Sequence, residues 1–512
     1  MVLQDALIRL TEAELLSLRG TPPSAVYSFK HALVQDAAYS AMLRARRQQL
    51  HTAIALNLEK RLPQAVKATP ELIAQQFERA GQNEKAIQYW RLAGERDLRR
   101  FAMKEAAAHY SSALRLVTAM PESPARDGIE LSVRLGYGLA QLIAIGPSAP
   151  EAAEHYRRAL ALSRALPGRG RERFLASWGL WFNAGTGGRD AEAAELSDEL
   201  ISIARELNNP DFQLEAYHAK VPTLLRNADF AGLNEAAQEV VRLYDRERHR
   251  DHAYYFGGHD ARMCARAFYA IGLWALGFLD QAHRMAWLSI EDARDLGHTF
   301  SLAHALQRGA ITMVLLKDVE SCRIISDELY PLAERNNFPW QLADAKFLRG
   351  WLVAQTGDYQ RGIEQMLHAV DHKFFAGFRP MLMPQIAELQ LQAGHADRAM
   401  ATLDRAIDEA RRQGNRYCEP ELVRLRGEIL RAQSRANDTE AERIYRQAMA
   451  MAAGQPCPVL ELRAATSLAR LLADRSRREE AHDLLAPVYA GFTEGFGKPD
   501  LLAAKALLAE LG

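Results

Sequence analysis

Histidine and cysteine crowd together at one point of this chain: His249, His252, His259 and Cys264 fall within sixteen residues. Imidazole nitrogen and thiolate sulfur are the usual donors to zinc, so the residue types are those of a metal site. The spacing is less persuasive. Zinc ligands come in tight pairs at both ends of a site; here the second pair, His259 and Cys264, has x4 spacing but sits directly after the turn residues Gly257 and Gly258. The pattern fits a loop feeding a helix, with His259 and Asp260 at its start and Asp260 as N-cap. On this reading the chain holds no metal and no cofactor.

Other chemistries are poorly represented. A phosphate-cradling loop needs G-x-x-x-x-G-K-[ST]; the nearest string, Gly495-Phe496-Gly497-Lys498, lacks the upstream glycine and is followed by Pro499. There is no G-x-S-x-G, no H-E-x-x-H and no Cys–His pair with a supporting motif, so no catalytic residues are expected. The basic run Arg44, Arg46, Arg47 is flanked by glutamines and apolar residues, which describes a solvated helix face rather than a base-reading helix. With 64 basic and 64 acidic side chains the net charge is zero, and nothing draws the chain to nucleic acid or an acidic membrane. Three aromatic clusters remain: Trp178, Trp181 and Phe182; Tyr254, Tyr255 and Phe256; Phe374, Phe375 and Phe378. Such rings first fill a core. If any line a concave groove that grips a peptide or small ligand, the last two clusters are the candidate surface.

The elements that position these residues are helices. Small residues recur at steps of seven, five and seven: Ala74, Gly81, Ala86, Ala93; Ala270, Gly277, Ala282, Ser289; Gly350, Gly357, Gly362, Ala369; Ala387, Gly394, Ala399, Ala406. Two antiparallel helices in close contact need small residues where they cross, and a glycine where the first stops and the chain reverses. The first positions, Ala270, Ala310, Gly350, Ala387, Gly427 and Ala469, are 40, 40, 37, 40 and 42 residues apart. Between them the apolar residues keep helical spacing: Ala399, Leu403, Ala406, Ile407 and Ala410 share one stripe, with Asp404, Arg405, Asp408, Glu409 and Arg411 outside it. Strand signals are weak throughout. This pattern resembles the tetratricopeptide repeat, and it predicts an all-α, right-handed solenoid of helical hairpins closed by a C-terminal helix, Leu501–Leu511.

A second resemblance rests on longer strings. "FKHALVQDAAY" (29–39) followed by "RQQLH" (47–51) resembles the joint between the nucleotide-binding module and the helical repeats of bacterial STAND-class signalling ATPases. "GGHDARMCARAFYAIGLWALGFLDQA" (257–282), "EPELVRLRGEIL" (419–430) and the last fifty or so residues are similar to the C-terminal region of bacterial adenylate/guanylate cyclases that carry such an ATPase module. The resemblance implies a regulatory arm, with the ATPase and cyclase modules absent from this chain. It divides the sequence into a helical, winged-helix-like remnant (1–62), a first repeat block (71–250) and a second block with its capping helix (258–512).

The expected function is a non-catalytic interaction scaffold for protein or peptide partners, including an ATPase or cyclase module in cis or in trans. The alternatives are a piece of a complete cyclase whose catalytic half lies upstream, or the arm of an ATPase-type transcription regulator. Four dispersed cysteines, Cys264, Cys322, Cys418 and Cys457, without C-x-x-C spacing read as reduced and buried. The first residues lack the basic and apolar regions of a signal peptide, and no apolar run is long enough to span a membrane. A cytoplasmic location is expected.

Overall fold

The small-residue ruler marks the points where helices touch. In the computed structural model, which describes residues 2–21, 25–371 and 377–512, Gly350 and Gly362 face each other across a hairpin of helices Pro339–Gln355 and Tyr359–Val370. A Cβ added to Gly362 would lie 2.6 Å from the Gly350 carbonyl oxygen, and one added to Gly350 2.9 Å from that of Gly362. The second ruler position is the turn. Gly81, Gly277, Gly357 and Gly394 have φ of +76°, +87°, +93° and +79°, where glycine has no Cβ penalty. Lys317 and Ser476 occupy the same register with φ of 55° and 62°, so the turn geometry holds even where the glycine is missing.

The chain forms two compact units, Met1–Glu122 and Ser123–Gly512. The first begins with helix Val2–Glu12 and then departs from the helical expectation. Strands Leu16–Arg19 and Val26–Phe29 pair antiparallel, with Leu16 opposite Phe29 and Arg19 opposite Val26. Four-residue strands are too short for a period of two to stand out from the neighbouring helical pattern. Helices Ala32–Ser40 and Arg44–Arg61 follow, and the unit ends in helices Pro70–Arg79, Asn83–Arg99 and Met103–Thr118. The residues of the joint motif are physically connected here. His51, buried on Arg44–Arg61, meets the Tyr39 hydroxyl at 2.8 Å and Gln76 Oε1 at 2.7 Å, so the segment is tied to the first ruler hairpin.

The second unit is an all-α solenoid of tetratricopeptide-like hairpins. Among the described residues, nine hairpins run from Pro124–Ala144 to Arg478–Ala490, and Pro499–Leu511 closes the stack with Leu501, Ala504 and Leu507 buried. The second helices of the hairpins are amphipathic: Ala396–Gln413 buries Ala399, Leu403, Ala406 and Ala410 and exposes its charges. The first helices are different. In Thr299–Leu315 every residue from Ala303 to Leu315 is buried, so this helix has core on all sides.

That burial comes from contacts between distant hairpins across the inner side of the solenoid. Gly377 N–H donates to the Thr186 carbonyl at 3.0 Å, Arg416 N–H to the Arg226 carbonyl at 3.0 Å, and Arg463 Nη2 to the Leu315 carbonyl at 3.1 Å. Glu494 accepts hydrogen bonds from the backbone N–H groups of Asp280 and Gln281, both at 2.9 Å, while Asp280 accepts from Gly495 N–H. The inner side of this unit is therefore a filled core, where a tetratricopeptide solenoid commonly presents an extended concave surface.

Candidate functional site

Each inner helix sends side chains three or four positions apart toward that core, because i, i+3 and i+4 share a helix face. Gly170–Thr186 contributes Trp178, Trp181 and Phe182; Pro210–Arg226 contributes Glu215, His218, Pro222 and Arg226; Ala261–Ala275 contributes Cys264 and Phe268; Thr299–Leu315 contributes His304 and Arg308. Trp340 and Phe378 close the far side. With His259, all of these except Trp178 and Glu215 line a cavity of ≈ 20 Å³, measured to the centre of a water-sized sphere, which is room for about one water.

Burying this many polar groups is costly unless they bond one another. Glu215, 1% exposed, takes His218 Nδ1 at 2.9 Å and His252 Nδ1 at 2.7 Å. Its burial pushes its pKa up, but those two hydrogen bonds win and hold it at about 2. His259 Nδ1 lies 3.1 Å from the Gly257 carbonyl, its ring stacked on His304 with centroids 4.2 Å apart. His304 Nε2 is 3.7 Å from Cys264 Sγ. A ring nitrogen of His218, one of His259 and the Cys264 sulfur all lie within 4.8 Å of one another. Burial opposes ionisation of the Cys264 thiol, yet the two imidazoles beside it carry its pKa well below the ordinary thiol value. His218 moves the other way, to about 10, because Cys264 and Glu215 outweigh its desolvation.

Arg308 is 1% exposed, and its Nε and Nη2 have no hydrogen-bond partner. Its guanidinium rests on rings instead, 4.2 Å from the Phe378 centroid and 5.0 Å from that of Trp340. Burial brings its pKa down to about 10. Next to it, the Arg226–Asp190 pair is buried, and desolvation raises the carboxyl pKa and lowers that of the guanidinium.

Glu215, His218 and Cys264 in sequence form the carboxylate–imidazole–thiol order of an activated nucleophile. A nucleophile must also reach a substrate, and Cys264 is 2% exposed beside a cavity that accepts little beyond a water. The arrangement lacks room for an acyl group.

The tempting four-residue set of the sequence divides in two. His259 and Cys264 converge as described, joined by His218 and His304. His249 and His252 belong to a neighbouring network with Asp211: His249 Nδ1 accepts from Asp245 N–H at 2.8 Å, its Nε2 meets Asp211 Oδ1 at 3.1 Å, and Arg248 pairs with the same carboxylate. Every donor of His249 is thus already engaged. Asp260 is an N-cap as expected, its Oδ1 accepting from Met263 N–H at 2.9 Å.

The aromatic residues proposed as a groove lie differently from one another. Phe256 and Phe378 are buried in the core, Tyr254 is half-buried, and Tyr255 is 42% exposed with Arg171 over its ring. Phe374 and Phe375 lie outside the described residues. Trp178, Trp181 and Phe182 are core side chains, the last two lining the cavity.

Glu215, His218, His304 and Arg308 have no motif, yet a signal exists in the repeat register. Cys264, His304, Asp344, Glu421 and Arg463 each stand six residues before the first small residue of the ruler, at Ala270, Ala310, Gly350, Gly427 and Ala469. Glu215 has the same place relative to Val221 and the positive-φ turn at Ala228. That register faces the inner core, and it is mostly titratable.

No protein-family model matches the chain. It is 26% identical over 479 residues to an uncharacterized protein of Rhizobium meliloti (strain 1021), an alignment covering 92% of this chain and 46% of that protein. The chain thus spans about half the length of this curated relative. Among solved structures it is similar to the Cut9–Hcn1 hetero-tetramer of APC/C, with a TM-score of 0.48 and 14% identity, covering 94% of this chain and 99% of that one. It is also similar to the Rap protein complexed with Competence and Sporulation Factor, with a TM-score of 0.45 and 13% identity over 83% and 99%. Against the human IFIT1 dimer with PPP-AAAA the TM-score is 0.42 and the identity 14%, over 92% and 94%.

Proposed function

We propose that the chain is a non-catalytic, protein-binding arm, and that its first unit is the surface on which an ATPase or cyclase-type signalling module docks. The observation that carries this reading is apolar exposure. Helix Ala32–Ser40 buries none of its residues; Leu33 is 83%, Leu43 81% and Leu3 73% exposed, and Val26 and Leu62 are more than half exposed. Several large apolar side chains left in water within residues 3–62 mark a contact site for protein. The motif that resembles the joint of STAND-class ATPases overlaps this segment, and the curated relative has about as much chain again for such a module. The filled inner core of the second unit supports the same assignment, since among the described residues the inner helices are packed against one another there.

The test is binding of this chain to the portion of the Rhizobium meliloti relative that it does not span, by calorimetry. Association is expected, with loss of at least tenfold in affinity for the L33E/L43E double variant. No association, or an unchanged affinity in the double variant, overturns the docking assignment. Appreciable ATP hydrolysis or cyclic-nucleotide synthesis by the pure chain overturns the non-catalytic one.

A further inference from the structure

The core cluster around Cys264 has the construction of a metal centre. Its three donors come from separate elements: His218 from the middle of helix Pro210–Arg226, His259 from the residue before the N-cap of Ala261–Ala275, and Cys264 from that helix's first turn. Their donor atoms already converge within 4.8 Å, as binding one ion requires. One thiolate and two imidazoles are the ligands of zinc and of metals of similar softness, and not of calcium or magnesium, which take oxygen.

The surroundings of the imidazoles are the stronger argument. A metal-bound histidine gives its second ring nitrogen to a carboxylate or a backbone carbonyl, which fixes tautomer and orientation. Both histidines do this. His218 Nδ1 is on Glu215 at 2.9 Å and His259 Nδ1 on the Gly257 carbonyl at 3.1 Å, which leaves Nε2 of each ring for the centre. His218 Nε2 is buried and has no hydrogen-bond partner. Glu215 is itself held by His252, so a further layer of support is in place. His304 Nε2, 3.7 Å from Sγ, is placed to donate to the thiolate, and the ≈ 20 Å³ cavity has the volume for a water at the fourth position.

We propose that His218, His259 and Cys264 bind one zinc-class divalent ion, which pins the loop before Ala261 and two successive inner helices together in the core. The site is structural in consequence: it joins consecutive hairpins where a solenoid otherwise relies on apolar contact.

Cobalt(II) is the probe, because a cysteine ligand gives it a near-ultraviolet thiolate-to-metal charge-transfer band and a tetrahedral site gives intense visible bands. Untagged, reduced full-length chain is titrated with cobalt chloride and then with zinc chloride. One equivalent is expected to produce both sets of bands, and zinc to abolish them. Cys264→Ser is expected to lose the charge-transfer band, while Cys322→Ser and Cys457→Ser keep it. Glu215→Gln, which leaves all three ligands in place, is expected to weaken binding by about 10–100-fold. Absence of a charge-transfer band in folded wild-type chain overturns the proposal, as does its persistence in Cys264→Ser. If the serine variant at 264 does not fold by circular dichroism, the wild-type titration and the glutamine variant at 215 decide by the same criteria.

Discussion

Replacing Gly362 by alanine sets two known effects against each other. Alanine favours the helix over glycine by about 1 kcal/mol in a helix interior. The added methyl, however, would stand 2.6 Å from the Gly350 carbonyl oxygen, 2.7 Å from Ala354 N and 2.8 Å from Ala354 Cβ. Backbone atoms cannot swing aside as a lysine end can, so helices Pro339–Gln355 and Tyr359–Val370 must separate. Overpacking costs about 1–3 kcal/mol; with three contacts under 3.0 Å, two of them to backbone, the upper half of that range applies, and the net expectation is a loss of about 1–2 kcal/mol. Gly128, inside helix Pro124–Ala144, is the control, since only Arg169 Nη2 comes near its added Cβ, at 3.3 Å. There alanine is expected to stabilise by up to about 1 kcal/mol. Each hairpin depends on its neighbours, so the loss is local and best read by hydrogen exchange. Gly362→Ala is expected to speed exchange about 5–30-fold in residues 339–370, leaving the hairpin of helices Pro124–Ala144 and Pro150–Ala165 unchanged. Unchanged or slower exchange in 339–370 would refute the claim that small residues are present there to let two backbones approach.

Two further predictions concern closure of the solenoid. Burial pushes the carboxyl pKa of Glu421 and Asp500 up, but Arg424 and then Arg463 beside Glu421, and Arg463 and Lys317 beside Asp500, hold both at about 2, so they bind protons less readily folded than unfolded. The unfolded chain therefore gains protons first as pH falls, so their contribution is complete above about pH 5 and is lost progressively toward pH 2. Each is worth about 2–3 kcal/mol at neutral pH, not additive because both lean on Arg463; urea titrations between pH 6 and 3 should show the midpoint falling, less steeply in Glu421→Gln, and a flat profile contradicts the assignment. Glu494→Ala removes the acceptor of the Asp280 and Gln281 N–H groups, a cap supplied from the far end of the unit. A loss of about 1–2 kcal/mol is expected, with faster exchange in 279–284 and 491–498 together; a change confined to one of the two segments would show that the contact does not couple them.

The hairpins were legible in the sequence because their code is local. Gly357 stops a helix by adopting φ of +93°, and Gly362 admits a neighbouring backbone, each within one repeat. The strand Val26–Phe29 was not legible, being only four residues long inside a stripe that also fits a helix. The core cluster was half legible. His259 and Cys264 drew attention by proximity in sequence, but their companions His218 and His304 are 41 and 40 residues away, and only the solenoid's winding brings them in. Winding accumulates from small rotations at every hairpin, so no local spacing announces where it closes.

The filled core bears on the proposed scaffold function. An open solenoid recognises a partner along its concave face, and polar or aromatic residues there are selected for the partner. Here that register carries Glu215, Cys264, His304, Arg463 and Glu421, and each spends its hydrogen bonds inside the protein. Arg463 alone bonds Asp500, the Leu315 carbonyl and Glu421, linking the last full hairpin, the terminal helix and a hairpin well upstream. Charges used in this way specify how tightly the solenoid closes, since a slightly different winding would leave them buried and unpaired. Under the proposed scaffold function a partner would be met on outer faces or at an end, and the exposed Leu33 and Leu43 of the first unit take no part in this internal network.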